Sequence, residues 1–172
     1  MVTDKQSILK ARADVLAREP ENQSDGMEQI EITEFMLSAE RYGIETRYIR
    51  EVHILRDLTP LPCTPPFVLG ILNVRGKILS VIDIRWFFEL PIRGFTEKSR
   101  FIVLHNDVME FGILADSIIG VRMIQVCDIR AELPTLTGIR ADYLRGITSD
   151  RLTVLDGRKL LEDKEIIVHE EV

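Results

Sequence analysis

The sequence predicts a mainly β chain of short strands arranged as barrels or sandwiches. Three observations carry this. From about residue 28, short runs rich in Ile, Val, Leu and Phe alternate with turn signals roughly every eight to twelve residues. No long segment has the apolar periodicity of a core helix. Four of the seven prolines fall within residues 60–66. Proline has no N–H to give a ladder, so this stretch must be an irregular surface connection between strands.

The elements follow in order. Residues 3–19 predict a helix: Thr3 and Gln6 have capping-box spacing, and Ile8, Leu9, Ala11, Val15 and Leu16 recur at helical spacing until Pro20 ends the pattern. EPENQSDG, residues 19–26, reads as a polar linker. Residues 29–37 begin with apolar–polar alternation, 38–43 form a turn, and 42–54 resume an apolar pattern. Two strands, 67–74 and 77–84, meet at Gly76. Residues 101–104 and 111–115 bracket a turn at 105–110, and 118–126 form another strand. Strands at 143–148 and 151–155 flank a turn at 149–150, and 156–164 predict a short helix. Trp86, Phe87 and Phe88 read as core packing at the end of strand 77–84.

A length of 172 residues suits one domain, or two small halves sharing a core. With 45% hydrophobic and 29% charged residues the chain belongs to the folded class, not the disordered one. Its 22 basic and 28 acidic residues leave a formal charge of −6. That balance argues against a sequence-independent grip on nucleic acid and against a polybasic membrane anchor. The opening MVTDKQSILK lacks the apolar core of a signal peptide, and no apolar run is long enough to span a bilayer. Cys63 and Cys127 have no metal or redox spacing, and two free thiols fit a reducing cytoplasm.

The search for chemistry comes back thin. His53, His105 and His169 form no ligand spacing. Asp83, Asp107, Asp116 and Asp128 are scattered through turns and strand ends, where carboxylates usually cap turns or stay solvated. There is no phosphate-cradling loop and no GxSxG, and the neighbours of Cys63 offer no base or cation to activate it. The expectation is no catalysis, no metal and no cofactor. Two rival classes were weighed. A small-barrel nucleic-acid binder is disfavoured by the acidic charge and the lack of an aromatic-plus-basic stripe. An enzyme with its site between barrels is disfavoured by the poverty of convergent polar groups.

One stretch, GILNVRGKILSVID at residues 70–83, places Asn73, Arg75 and Gly76 between two apolar runs. Arg75 reads either as a solvated turn residue leaning its stem on apolar surface, or as one half of an ion pair with Glu51 in YIREV. Such a pair would hold two strands in a fixed relation beside an apolar groove, with Ile49 and Val52 close by in sequence. Buried, it would cost about 3–5 kcal/mol to break; exposed, it would be worth about 0–1 kcal/mol.

YGIETRYIREV, then TPLPCTPPFVLGILNVRGKILSVIDIRWFF, then RFIVL, FGILADSIIGV, YLRGI and LDGRKLL, together resemble the CheW chemotaxis coupling-protein family over residues 29–165. The most specific piece is P-x-F-V-x-G-I-L-N-V-R-G followed by V-I-D-I-R. The resemblance implies two SH3-like five-stranded β-barrels sharing a hydrophobic interface, to which the residue patterns above add a short N-terminal and a short C-terminal helix. The chain then divides into a helix and linker at 1–28, outside the common core, and a CheW-like domain of two barrels at 29–172. The resemblance also implies a non-enzymatic cytoplasmic adaptor, recruited to membrane-associated receptor arrays without inserting in the membrane. The implied partners are the cytoplasmic tip of methyl-accepting chemotaxis receptors and the regulatory domain of the CheA histidine kinase; a nucleic acid is not among them.

By position, the resemblance assigns a receptor-binding groove to Ile49, Glu51, Arg75 and Val121, with Asn73 and Gly76 shaping its turn, and a kinase-binding side to Leu58, Leu69 and Gly70. Two positions depart from the family pattern: Ser80 where Pro is frequent, and Gly120 where a polar residue is common. A scaffold of another chemosensory pathway, for pili motility or development, is the alternative.

Overall fold

The structure, a computed structural model, describes residues 27–131 and 139–166. The predicted N-terminal helix and the linker at 19–26 lie outside these residues. Ten strands form two five-stranded sheets. The first has the order β8-β1-β2-β10-β9 and contains β1 (Gln29–Leu37), β2 (Glu40–Glu45), β8 (Ser117–Gln125), β9 (Leu144–Ile147) and β10 (Thr153–Leu155). The second has the order β3-β6-β7-β5-β4 and contains β3 (Ile49–Ile54), β4 (Val68–Val74), β5 (Lys77–Ile82), β6 (Arg100–His105) and β7 (Glu110–Ala115). Neighbours pair antiparallel except β2 with β10 and β5 with β7, which run parallel. Two short helices are described, α1 (Ile139–Asp142) and α2 (Gly157–Glu162).

The strand pattern shows why the alternation in β1 is imperfect. Ile32 sits in the small core of the first barrel with Ile124, Leu152 and Val154. Phe35 and Leu37 point to the opposite face and join a second, larger cluster. A strand apolar on both faces is what a sheet needs when it covers a barrel interior on one side and a neighbouring barrel on the other. The second barrel has its own core of Leu72, Val74, Leu79, Val81, Phe101 and Val103. The larger cluster belongs to both barrels: Phe35, Leu37 and Ile44 from the first sheet meet Ile82, Ile102, Leu104 and Ile113 from the second. This is the shared hydrophobic interface that the resemblance implied.

The connections differ from the sequence reading in instructive ways. The turn expected over 38–43 is only two residues, Ser38 and Ala39, because Leu37 pairs directly with Glu40. The apolar stretch 42–54 is divided by a 3-10 turn at Thr46–Tyr48, where the chain leaves the first sheet for the second. It returns through one residue, Asp116, between β7 and β8. The proline-rich connection is irregular, yet it is pinned: the Thr59 and Ile71 backbones exchange N–H···O bonds of 2.9 Å. The C-terminal helix starts where predicted, since Asp156 accepts the N–H groups of Arg158 and Lys159.

Two expectations need correction. Trp86, Phe87 and Phe88 are not one core cluster. They follow Ile84 in a 3-10 turn, Ile84–Trp86, with about three residues per turn, so one side chain in each turn must face out. Ile84 and Phe88 enter the shared core, and Phe87 packs on Phe67 and Tyr143 with ring centroids 4.9 and 5.5 Å away. Trp86 faces solvent. Asp83, in turn, is no solvated cap. It accepts the Arg85 N–H at 3.0 Å, but it is also fully buried and receives the Arg85 guanidinium at 2.7–3.1 Å. Among the described residues, the deeply buried arginine is Arg85, not Arg75.

Candidate docking surfaces

The turn between β4 and β5 explains GILNVRGKILSVID. Val74 pairs with Lys77, so Arg75 and Gly76 form a two-residue hairpin loop. Their φ values are +53° and +85°, the two left-handed positions required by the turn type that follows strand twist. Gly76 adopts this backbone freely, and its N–H donates to the Asn73 carboxamide at 2.8 Å. An arginine there is held against its intrinsic preference by about 1 kcal/mol or more. Arg75→Asn is therefore expected to raise stability by up to about 1 kcal/mol, because Asn tolerates the left-handed region. A shift of the urea midpoint to lower concentration would contradict this.

Arg75 does pair with Glu51, with Nη2 3.3 Å from Oε2. The Arg75 side chain is 80% exposed and that of Glu51 22%. The pair is thus the rim-exposed kind, worth about 0–1 kcal/mol to folding. Its carboxylate has a second neighbour that the sequence reading passed over. His53 Nε2 lies 2.9 Å from the same Glu51 Oε2, within ion-pair range but without hydrogen-bond alignment. The signal was available, since residues two apart on a strand share a face.

The structure separates the other groove residues. Ile49 pairs with Leu104 and packs on the shared core. Glu51 pairs with Val103, a residue of the second barrel's own core. The one-residue bulge between them puts Ile49 and Glu51 on opposite faces of the sheet. Val52, opposite Ile102, returns to the Ile49 face and is exposed, as is Ile54. Val121 lies opposite Thr33 on the first sheet, and Met123 opposite Glu31. The Thr33 hydroxyl reaches the Thr46 hydroxyl at 3.1 Å, which fastens this face to the turn leading into β3. Strands β3 and β8 are both sheet edges. Each carries exposed apolar side chains on the face that its sheet turns toward the other barrel: Val52 and Ile54 on one, Val121 and Met123 on the other. Gly120 lies opposite Glu34 beside the β8 bulge, and Ser80 is an exposed residue opposite Ile71.

Leu58, Leu69 and Gly70 do come together. Leu58 and Leu69 are half-buried against the core of the second barrel. Gly70 is buried under the Thr59–Pro60 backbone, which a methyl group would overlap. Gly70 and Arg75 are five positions apart along β4 and its turn, about 17 Å in extended backbone. The two surfaces therefore sit at different ends of one barrel.

A charged cluster marks the first barrel. Glu34, nearly buried, lies 3.0 Å from Arg41 and 3.0 Å from Arg122, and both arginines reach on to Asp150. The Thr148 hydroxyl, 2.5 Å away, is the main reason that the Asp150 carboxyl falls to a pKa of about 2; Arg122 and Arg41 add to it against the cost of desolvation. A lowered folded-state value means stability present above the ordinary carboxylate range and lost as pH falls through about 2. Asp150→Asn is expected to flatten this acid limb between about pH 4 and 2, read as the melting temperature against pH.

Among the described residues, no group of three or more His, Cys, Asp or Glu side chains could hold a metal ion. Within the same residues, no helix is long and apolar enough to cross a membrane. Both thiols, Cys63 and Cys127, are free and exposed.

Two small barrels with a common core, apolar edge strands and a charged pin on one hairpin define a protein-docking module. The chain belongs to the CheW family: the model of the CheW-like domain matches residues 31–165. It is 32% identical over 148 residues to chemotaxis protein CheW of Treponema pallidum, covering 81% of this chain and 86% of that one. It is 31% identical over 128 residues to protein FrzA of Myxococcus xanthus, covering 71% and 79%. The crystal structure of the scaffolding protein TtCheW from Thermoanaerobacter tengcongensis superposes with a TM-score of 0.65 at 30% identity, covering 75% of this chain and 90% of that one. The protein is thus a CheW-like scaffold of chemotaxis or a related chemosensory pathway, in a family of adaptors rather than enzymes.

Proposed function

We propose that this chain is a non-enzymatic adaptor that couples the cytoplasmic tips of methyl-accepting chemoreceptors to the CheA histidine kinase, in the cytoplasm at membrane-associated receptor arrays. Residues 29–172 act as the docking domain. The observation that carries the reading is an edge strand with exposed apolar side chains on each sheet, β3 and β8, together with the Arg75–Glu51 pin at the β4–β5 hairpin. A receptor tip is a helical hairpin, and an apolar groove with a polar edge suits one face of such a helix. Ile49 and Val121 line this groove on the faces that the two sheets turn toward each other, Arg75 and Glu51 supply a charged rim from the opposite face of β3, and Asn73 and Gly76 fix the hairpin that holds Arg75 out. The regulatory domain of CheA docks at the other end of the second barrel, on Leu58 and Leu69, with Gly70 beneath them letting the Thr59–Pro60 backbone close over β4.

Calorimetric titration with a receptor hairpin tip and, separately, with the CheA regulatory domain tests this. Binding to both is expected. Arg75→Glu should weaken receptor binding while leaving the fold and kinase binding in place, and Val121→Glu should do the same from the other barrel. Unchanged receptor affinity in a folded Arg75→Glu protein would overturn the groove. The likeness to FrzA favours one second reading, a scaffold serving another chemosensory pathway. Receptor tips from such a pathway, titrated alongside, decide between the two.

A further inference from the structure

Two basic side chains converge on one oxygen. Glu51 Oε2 lies 3.3 Å from Arg75 Nη2 and 2.9 Å from His53 Nε2. The two contacts are not equivalent. Arg75 comes from a hairpin tip, is 80% exposed, and keeps most of its five N–H donors toward solvent. His53 is held in place, its ring stacked on Phe101 at 5.3 Å between centroids and 19° between planes, with its side chain 30% exposed.

We propose that His53 is a positioning residue for the Arg75 end of the groove, competing with Arg75 for Glu51 and so setting how freely Arg75 can meet a carboxylate on a docking partner. This deepens the adaptor reading and rests on it for the partner. When the imidazole is neutral it brings no charge to Glu51, and Arg75 holds the carboxylate. When it is protonated, a second positive charge faces Oε2 from a more sheltered and better fixed position. The attraction of Glu51 for the exposed, screened guanidinium is then the weaker of the two. Arg75 swings free, and the partner it fits is a helix carrying an acidic residue beside its apolar face.

The other charged groups around this site are already engaged. On β3, Arg50 lies 3.0 Å from Glu110 of β7, and Lys77 at the start of β5 pairs with the same Glu110. His105 of β6 lies opposite Glu110. Facing His53 itself, β6 presents Phe101. Among the described residues, His53 and Arg75 are the basic side chains in ion-pair reach of Glu51.

Two measurements on the full chain test the proposal. First, NMR of the Arg75 side-chain N–H groups in the free protein, followed from pH 8 to pH 5.5, should show the guanidinium released from Glu51 toward the acid end. The same titration of His53→Gln should show no such step, while His105→Gln should retain it. Second, affinity for a chemoreceptor hairpin tip should rise about two- to fivefold on going from pH 7.8 to pH 5.8, and the rise should vanish in His53→Gln. An Arg75 signal that ignores pH, or a pH step that survives His53→Gln, overturns the proposal. A His53-dependent step in the free protein without receptor binding at either pH leaves the competition standing and refutes the receptor reading instead.

Discussion

Asp83→Ala is expected to destabilise the protein by about 3–5 kcal/mol, the usual penalty for leaving a buried charge without its partner. The geometry says why. Arg85 is 1% exposed, and its guanidinium gives its Nε and one Nη to Asp83. Its remaining nitrogen, Nη1, is buried without a hydrogen bond and lies 3.7 Å from Asp116. Burial alone would lower the arginine pKa, but the Asp83 bond and the charges of Asp83 and Asp116 more than reverse it. Asp116 also accepts the Ser38 N–H at 2.7 Å and is the residue at which the chain crosses between sheets. The pair therefore ties the second barrel to the crossover. Replacing both partners, Asp83→Leu with Arg85→Met, should recover much of the loss, since no charge is left stranded. Urea unfolding of the single and double variants reads both. A single variant that loses less than about 1 kcal/mol would mean that water reaches Arg85.

The second large effect is expected at Gly70, where Ala should cost about 2–4 kcal/mol. Its φ of +146° is a conformation that side-chain-bearing residues rarely adopt. The added methyl would also overlap the Thr59 carbonyl, which accepts the Ile71 N–H. Either the proline-rich connection lifts away and its two backbone bonds break, or the strand distorts. Leu58 and Leu69 move in both cases, so binding to the CheA regulatory domain should fall while a receptor tip still binds about 17 Å away. Gly76→Ala is the contrast: its φ is +85° but nothing lies within 4 Å of the new carbon. It should cost only the backbone strain, about 1–2 kcal/mol. Equal losses at the two glycines, measured by urea unfolding, would show that the close approach at Gly70 adds nothing.

Much of this could be read from residues in a line. Strands announced themselves through apolar runs and turns, as at 101–104 and 111–115, because both faces of those strands are buried and the composition is nearly uniform. The short C-terminal helix was legible from Asp156 and the apolar spacing that follows. The pairing of Glu51 with Arg75 was foreseen as a candidate and is present, but its exposure was not foreseeable, since that depends on where a hairpin tip projects. The error at Asp83 has the same root. A carboxylate two residues before an arginine at a strand end looks like any turn cap; only the packing of Ile84 and Phe88 into the shared core drags Asp83 and Arg85 out of water with them.

What the sequence by itself determined is local: strand periodicity, turn chemistry, the hairpin at Arg75–Gly76, and the family, through the order and spacing of its motifs. What only the tertiary structure decided is which faces meet. The bulge in β3 puts Ile49 and Glu51 on opposite faces, a two-residue alternation puts His53 beside Glu51, and register sets Val121 across from Thr33. The reason is physical. A one-residue change in strand register reverses every side chain that follows, and register is chosen by the sum of contacts across a sheet, not by any residue alone.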